Sequence, residues 1–434
     1  MYKYVLKFGG TSQVKSTYDM ILDRINITKD SVKYVIVLSA MSGVTNKLID
    51  YQSTKNTISL NWIINKNTTL SSECGVSIDD EITNLIKLSY DDIGVIAQGE
   101  YLTCGILNKY LNKNNIKSEL ISSLDVIESN QENIGLNNKG EFIVYPEKIE
   151  KSLETNDVVI IPGFSGRTPN GSYCLLGRGG SDTTGSIIAS SINAKLYEIW
   201  TDVNGIYSSD PRKISGTFIN EIINYEAAQE VAAMGAKVIH PYCILPCAQK
   251  KIPIHIKNTF NPEGNSTIIY NNETNKVYGI TIQENVKVFK ITSLNMWNNY
   301  GFVYDIFSIF KDANVDINII NTSQFNITTT TDEIDEKKLI DIKLKLENKY
   351  QVELSFNNSI ISIVGDNIRM INNIGDIFKL TKNYNIITTS YSSNDMSLSF
   401  VIDTLYGNKL AQDLHNLIFN NININIKEVI LFTE

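Results

Sequence analysis

The sequence predicts an α/β protein: an open, mainly parallel sheet flanked by helices over the first ~280 residues, then two small α/β sandwich modules. Three observations carry that expectation. Short apolar runs alternate with longer helical patterns through the first part of the chain. The composition shifts near Asn261-Pro262-Glu263-Gly264, beyond which Ile, Asn and Thr are abundant. An internal repeat then follows, with Asn318-Ile-Ile-Asn-Thr-Ser323 returning as Asn385-Ile-Ile-Thr-Thr-Ser390.

In chain order, strands are expected at 4–8, 33–39, 157–161, 197–201 and 253–257, each ending in glycine, a small polar residue or a cap. Helices are expected at 15–26, 95–114, 182–193 and 225–236. Residues 54–92 are polar and weakly periodic, and read as a helical or loop-rich insertion. Each copy of the repeat follows a helical stretch (302–312 and 370–380) and precedes a strand-like run (325–331 and 397–403). Strand, helix, strand, strand, stated twice, makes two modules.

The length of 434 residues asks for two or three domains at ~100–200 residues each. A net charge of −8 argues against nucleic acid or an anionic membrane as the main partner, while leaving room for a local cationic pocket. No basic leader precedes Tyr4, and no apolar stretch approaches the ~18 residues of a membrane span, so the expected compartment is the cytoplasm. Five cysteines at scattered spacing fit reduced thiols, and Cys243 and Cys247 lack the second pair a zinc site needs. No protein metal site is expected.

Several motifs carry chemistry. Lys7-Phe-Gly-Gly-Thr-Ser12 directly follows the first strand, where two glycines let backbone N–H groups approach a phosphate and the lysine adds a charge. By itself this is also a common turn, and it is not a Walker loop. Gly177-Arg-Gly-Gly-Ser-Asp182 opens a helix, with Asp182 placed to cap it. An arginine held in a glycine loop has few packing reasons to be there, and its planar fork matches a carboxylate. Thr201-Asp202, Tyr207 and Asp210-Pro-Arg212 follow a strand end and read either as a nucleotide platform or as a plain hairpin. Lys237, in Gly235-Ala-Lys-Val-Ile-His240-Pro241, either reaches phosphates or only complements a helix dipole.

Together with Ser39-Ala-Met-Ser-Gly-Val-Thr45-Asn46, Gly99-Glu100, Gly163-Phe164 and the stretch Tyr225 to Pro241, these segments resemble, in order, the aspartate kinases of the amino-acid kinase family over essentially the whole chain. The resemblance implies a three-layer sandwich around the open sheet (1–280) and two ferredoxin-like ACT modules. The first would span 281–356 and be completed by 426–434, and the second 357–425. It places aspartate on Ser39, Thr45, Glu100, Phe164, Arg178 and Ser181, and ATP on Lys7, Gly9, Gly10, Thr201, Asp202, Tyr207, Arg212, Lys237 and Val238, with Mg²⁺ carried by the nucleotide. Lys7 and Lys237 would act on the transferring phosphate, with Asp182 orienting them. Gln13, where valine is common, and Cys174 are departures.

The implied reaction moves the γ-phosphate of ATP to the β-carboxylate of aspartate. A carboxylate is ionised at pH 7, so no general base is required, which suits a chain with three histidines. The resemblance also implies an allosteric amino acid, lysine, at Met296, Asn299, Phe302, Asn318, Thr322 and Ser323, and a homodimer or larger homo-oligomer through the ACT modules. Asn318 and Gln324 stand where acidic residues are common, which points away from lysine and toward threonine. A catalytically inactive amino-acid sensor on the same scaffold, or a related amino-acid kinase, are the alternatives.

Overall fold

The computed structural model describes residues 1–88, 92–130, 141–236, 238–272, 275–293, 300–371 and 374–419. The chain divides into two units, and the division is not a single cut. The first comprises 1–206, 219–232 and 237–273, and the second 207–218, 233–236 and 274–434.

The first unit begins with β1 (Tyr2–Phe8), α1 (Lys15–Thr28), β2 (Val32–Leu38), α2 (Val44–Thr54), α3 (Thr57–Cys74), α4 (Asp79–Lys87), α5 (Gly94–Lys113) and β3 (Ser118–Leu120). It continues through α6 (Ser123–Val126), β4 (Ile127–Ser129), β5 (Phe142–Val144), α7 (Glu147–Thr155), β6 (Val158–Pro162), β7 (Ser165–Arg167), β8 (Tyr173–Leu175), α8 (Gly180–Ser191) and β9 (Leu196–Thr201). It closes with β10 (Ile222–Ile223), α9 (Tyr225–Ala233), α10 (Ile244–Gln249), β11 (Ile254–Asn258) and β12 (Thr267–Ile269). The main sheet runs β10-β12-β11-β9-β1-β2-β6-β3, and a smaller one runs β5-β4-β7-β8.

Strands buried on both faces read as continuous apolar runs, which is why β2 and β6 are legible without alternation. Side chains nevertheless alternate across the sheet. Leu6, Phe8, Ile36, Leu38 and Ile160 share a core with Tyr18 and Ile21 of α1 and Leu102 and Leu107 of α5. Val5, Val35, Val37 and Ile161 are buried on the other face, and α8 packs against β1 and β2. This is the expected three-layer sandwich. The 54–92 insertion proves largely helical, with Ile63 and Leu70 of α3 and Leu85 of α4 joining the α1/α5 core.

The parallel register brings the carboxyl ends of the central strands together. Phe8 lies opposite both Leu38 and Trp200, Leu38 opposite Pro162, and Thr201 opposite Asn258. Open α/β sheets bind ligands at such ends.

The second unit contains β13 (Val277–Thr292), α11 (Phe302–Asp312), β14 (Ile320–Thr322), β15 (Asn326–Thr331), α12 (Glu336–Glu347), β16 (Gln351–Gly365), α13 (Ile374–Thr381), β17 (Thr388–Tyr391), β18 (Ser397–Asp403) and α14 (Thr404–Phe419). Its sheet runs β14-β15-β13-β16-β18-β17. The two long strands serve both repeats. Residues 287–292 of β13 pair with β15 and residues 288–292 with 351–355 of β16, whereas residues 279–283 pair with 360–364 of β16, which in turn pairs with β18. The boundaries expected at 280 and 356 therefore fall inside strands. Bulges lie between Gln283 and Val288, and Asn285 and Asn357 adopt the left-handed conformation that asparagine tolerates.

Each repeat has its own core against its helices, with Ile306, Phe310, Leu339 and Leu346 in one and Ile377, Leu410, Leu414 and Ile418 in the other. A third cluster, Val286, Val288, Ile319, Ile360 and Val401, lines the sheet itself. The matching edge strands of the repeat, β14 and β17, are tied together: Asn321 Nδ2 donates to Thr388 Oγ1 at 2.8 Å and to the Thr389 carbonyl at 2.6 Å. The strand expected at 426–434 lies outside the described residues.

The excursion 207–218 belongs to this unit through several contacts. Ile280 N–H donates to the Ser208 carbonyl at 2.7 Å, Lys213 pairs with Glu284, and Ser215 N–H donates to Gln412 Oε1. Ile214 is buried in the α13/α14 core. The buried His415 bonds Ser208 Oγ through Nε2 at 2.9 Å, its ring beside Phe218 and Phe419.

Candidate active site

Lys7 is the penultimate residue of β1, between apolar neighbours that hold it in the sheet, and it is only 8% exposed. A lysine so buried needs a countercharge. Asp182 supplies it from the first turn of α8, with Oδ1 2.5 Å from the Lys7 ammonium. That contact is an ion pair without the angles of a hydrogen bond, and Oδ1 accepts no other donor among the described residues. Beyond Lys7 the chain turns through Gly9 and Gly10. Gly9 N–H donates to the Trp200 carbonyl of β9 at 3.0 Å. A Cβ on Gly10 would stand 2.7 Å from the Ala40 carbonyl oxygen, so only glycine fits against the loop after β2.

That loop carries Ser39, whose N–H donates to the Phe8 carbonyl at 3.1 Å, and runs into α2, where Thr45 is half-buried in the first turn. Glu100 of α5 lies beneath it, 3% exposed, with Oε2 lacking any partner among the described residues. Burial pushes its carboxyl up to about 8, against partial relief from the Ala40 backbone. A carboxyl stored in this state is ready to ionise for an incoming cation.

The loop after β6 supplies Gly163, whose N–H donates to the Leu38 carbonyl at 3.0 Å, and Phe164. Phe164 has φ +69°, a left-handed conformation that costs a bulky residue about 1–3 kcal/mol. Thr184 of α8 locks it, accepting the Phe164 N–H at 3.1 Å and donating to the Gly180 carbonyl at 2.8 Å. Gly163 also abuts Ser181, where a Cβ would come within 2.7 Å of the serine side chain. Arg178 sits exposed on the loop before α8, between Gly177 and Gly179, both left-handed.

Lys7, Gly9, Gly10, Ser39, Glu100, Phe164, Ser181 and Asp182 thus form one connected set at the strand ends. Thr201 ends β9, and its hydroxyl donates to Asp202 at 3.3 Å. Tyr207 and Arg212 belong instead to the second unit, where Arg212 grips Asp210 through two hydrogen bonds of 3.0 Å. Val238 is half-buried in a turn, while Lys237, Met296 and Asn299 lie outside the described residues. Of the other expected effector residues, Phe302 opens α11, Asn318 N–H donates to the Thr330 carbonyl, Thr322 is exposed on β14, and Ser323 N–H donates to the Asn326 carbonyl.

Several residues at this site escaped sequence reasoning. His240 backs the glycine loop, and a Cβ on Gly179 would collide with its Cβ and Cγ. Its imidazole is pushed toward neutrality by burial, opposed by Asp182 and assisted by Arg178. Thr103 of α5 donates to the Ser39 carbonyl at 3.1 Å, and Ser12 bonds Thr259 at 2.6 Å. No motif announced Thr103 or Thr259, because such partners are chosen by tertiary proximity. All five cysteines are free and buried. Among the described residues no cluster of His, Cys, Asp or Glu is arranged to hold a metal.

The amino acid kinase family model matches residues 3–258, more than half of the chain. The chain belongs to the amino acid kinase family. Lysine-sensitive aspartokinase 3 of Escherichia coli (strain K12) is 24% identical over 451 residues, covering 96% of this chain and 99% of that one. The bifunctional aspartokinase/homoserine dehydrogenase of Buchnera aphidicola is 28% identical over 469 residues, covering 96% of this chain, which spans only 56% of that relative's length. The crystal structure of E. coli aspartokinase III with aspartate and ADP matches with a TM-score of 0.82 at 24% identity, over 96% of this chain and 99% of that one. The fold is shared, and the resemblance to aspartokinases is borne out. In this amino acid kinase no described helix is long and apolar enough to cross a membrane.

Proposed function

We propose that the chain transfers the γ-phosphate of MgATP to the β-carboxylate of L-aspartate, giving 4-phospho-L-aspartate, and that lysine inhibits it. The observation that carries this reading is the buried Lys7–Asp182 pair at the end of β1, where the chain enters a two-glycine loop. The names of the relatives support the substrate, and that of the E. coli enzyme supports the effector.

The chemistry asks an anion to attack a polyanion, so positioning and cationic stabilisation must do the catalytic work. Lys7 neutralises charge on the transferring phosphoryl group, with Asp182 fixing its ammonium, and Lys237 adds a second cation. The Gly9-Gly10 turn receives the phosphates of MgATP. Arg178 takes the α-carboxylate of aspartate, and Glu100 gives up its proton to receive the ammonium. The three histidines, His240, His255 and His415, are all shifted toward neutrality by burial, and the reaction needs no base from them.

A coupled assay of ADP release with aspartate tests the reading. Aspartate-dependent turnover is expected, and Arg178→Ala should raise the aspartate KM at least ~10-fold while moving the ATP KM much less. An absence of turnover with aspartate would favour the inactive sensor.

A further inference from the structure

We infer that Gln13 is a positioning residue for the nucleotide: its amide, buried beneath the first glycine loop, fixes the Gly9–Gly10 peptide and so aims the Gly10 N–H at the phosphates. The inference rests on the placement of ATP at Gly9 and Gly10 proposed above. Gln13 is 1% exposed. Its Nε2 donates to the Phe8 carbonyl at 3.3 Å and to the Gly9 carbonyl at 3.1 Å, and its Oε1 accepts the Tyr18 hydroxyl at 3.0 Å. A planar trans peptide puts its N–H opposite its carbonyl, so holding the Gly9 carbonyl inward turns the Gly10 N–H outward. Two successive glycines have unusual backbone freedom; the Ser12 N–H holds the Gly9 carbonyl at 3.0 Å, and the Gln13 amide adds a second donor that reinforces one orientation before the ligand arrives.

The tie continues beyond the loop. The Tyr18 hydroxyl also faces the Thr103 carbonyl at 3.3 Å, and Thr103 Oγ1 donates to the Ser39 carbonyl at 3.1 Å. The Phe8 carbonyl held by Gln13 accepts the Ser39 N–H as well. One buried polar chain therefore runs from the phosphate loop to the loop assigned to aspartate. Burial raises the Tyr18 hydroxyl well above its ordinary pKa, which keeps it a donor.

Packing alone does not account for the arrangement. The Phe8 carbonyl has Ser39, the Gly9 carbonyl has the Ser12 N–H, and Tyr18 has Thr103, so an apolar side chain at 13 would leave none of them unpaired.

Gln13→Met in the full-length protein tests the inference, with MgATP binding read by calorimetry and both substrates read by steady-state kinetics. MgATP affinity and kcat should each fall at least ~5-fold, within the ~100-fold that a 1 Å misplacement costs, with the aspartate KM within about twofold and the unfolding midpoint unchanged. Tyr18→Phe should reproduce part of the loss in the wild type and add nothing in the Gln13→Met background. Unchanged MgATP affinity and kcat overturn the inference. So does an equal loss for both substrates with a lowered midpoint, the mark of a packing role. Lys7→Ala run alongside separates the failures. If it keeps full kcat, the placement of the nucleotide has failed and the inference falls with it; if it loses activity while Gln13→Met does not, only the role of Gln13 falls.

Discussion

Lys7 and Glu100 are charged residue types in places that seldom tolerate charge, and each is resolved differently. Lys7 keeps a partner, Asp182, whereas Glu100 has an oxygen with no partner among the described residues, and burial favours its protonated form. If Lys7 stabilises the transferring phosphoryl group, Lys7→Ala should lower kcat by ~10²-fold or more with the fold intact, as read by turnover and circular dichroism. For Glu100 the sign follows from its raised pKa. Between its ordinary value of 4.5 and about 8 the folded protein holds a proton the unfolded chain has lost, so ligand-free stability falls as pH rises through that window. Glu100→Gln should lack this slope in a pH series of unfolding midpoints. Aspartate binding should release up to one proton below pH 8 and tighten as pH rises toward 8, measured by calorimetry in two buffers of different ionisation enthalpy. Binding without proton release would remove Glu100 from the ammonium site. Lys7 and Asp182 could be singled out because Lys7 to Ser12 and Gly177 to Asp182 are contiguous motifs, whereas Glu100 was marked only by the family resemblance. The state of Glu100 was not legible, because burial belongs to the fold and not to the motif.

The elements around the site are close-packed at their turns. Gly10 presses on backbone atoms of Ala40 and Ser42, which cannot rotate away as a side chain would. Gly10→Ala should therefore separate the loops after β1 and β2 and lower kcat/KM for both substrates by at least ~10-fold, a rate measurement that Gly171→Ala, at an open left-handed position, would fail to mimic. The parallel strands were readable from their Val and Ile runs, and the helix at 182–193 from the small residues before it. The insertion was harder. Thr57–Cys74 buries Ile63, Leu70 and Cys74 but carries many polar residues, so its periodicity is weak. The 16-residue strand Val277–Thr292 was missed entirely, because Gln283, Glu284 and Asn285 interrupt its apolar pattern at the bulges.

At the scale of the whole molecule, the repeat proved a reliable sign, since its two copies become the paired edges β14 and β17. Thr322 lies on the first of these edges, exposed and outside the module's core. If lysine shifts a population toward an inactive state by binding there, Thr322→Ile should relieve inhibition at millimolar lysine while leaving uninhibited activity near normal. Lysine without effect on the wild type, with threonine inhibitory, would point to Asn318 as the residue that changed the preference. The excursion 207–218 has a different implication. Ile214 is buried beside Ile280, Ile361 and Leu410, and the exposed Phe218 has its ring beside His415 and Phe419, although the chain on both sides of them builds the kinase sheet. A fragment ending at residue 272 would leave Ile214 without the core that buries it and Phe218 without its ring neighbours. No single junction in the chain therefore separates the two units, and a swap of one for the other would have to carry the excursion 207–218 with the second.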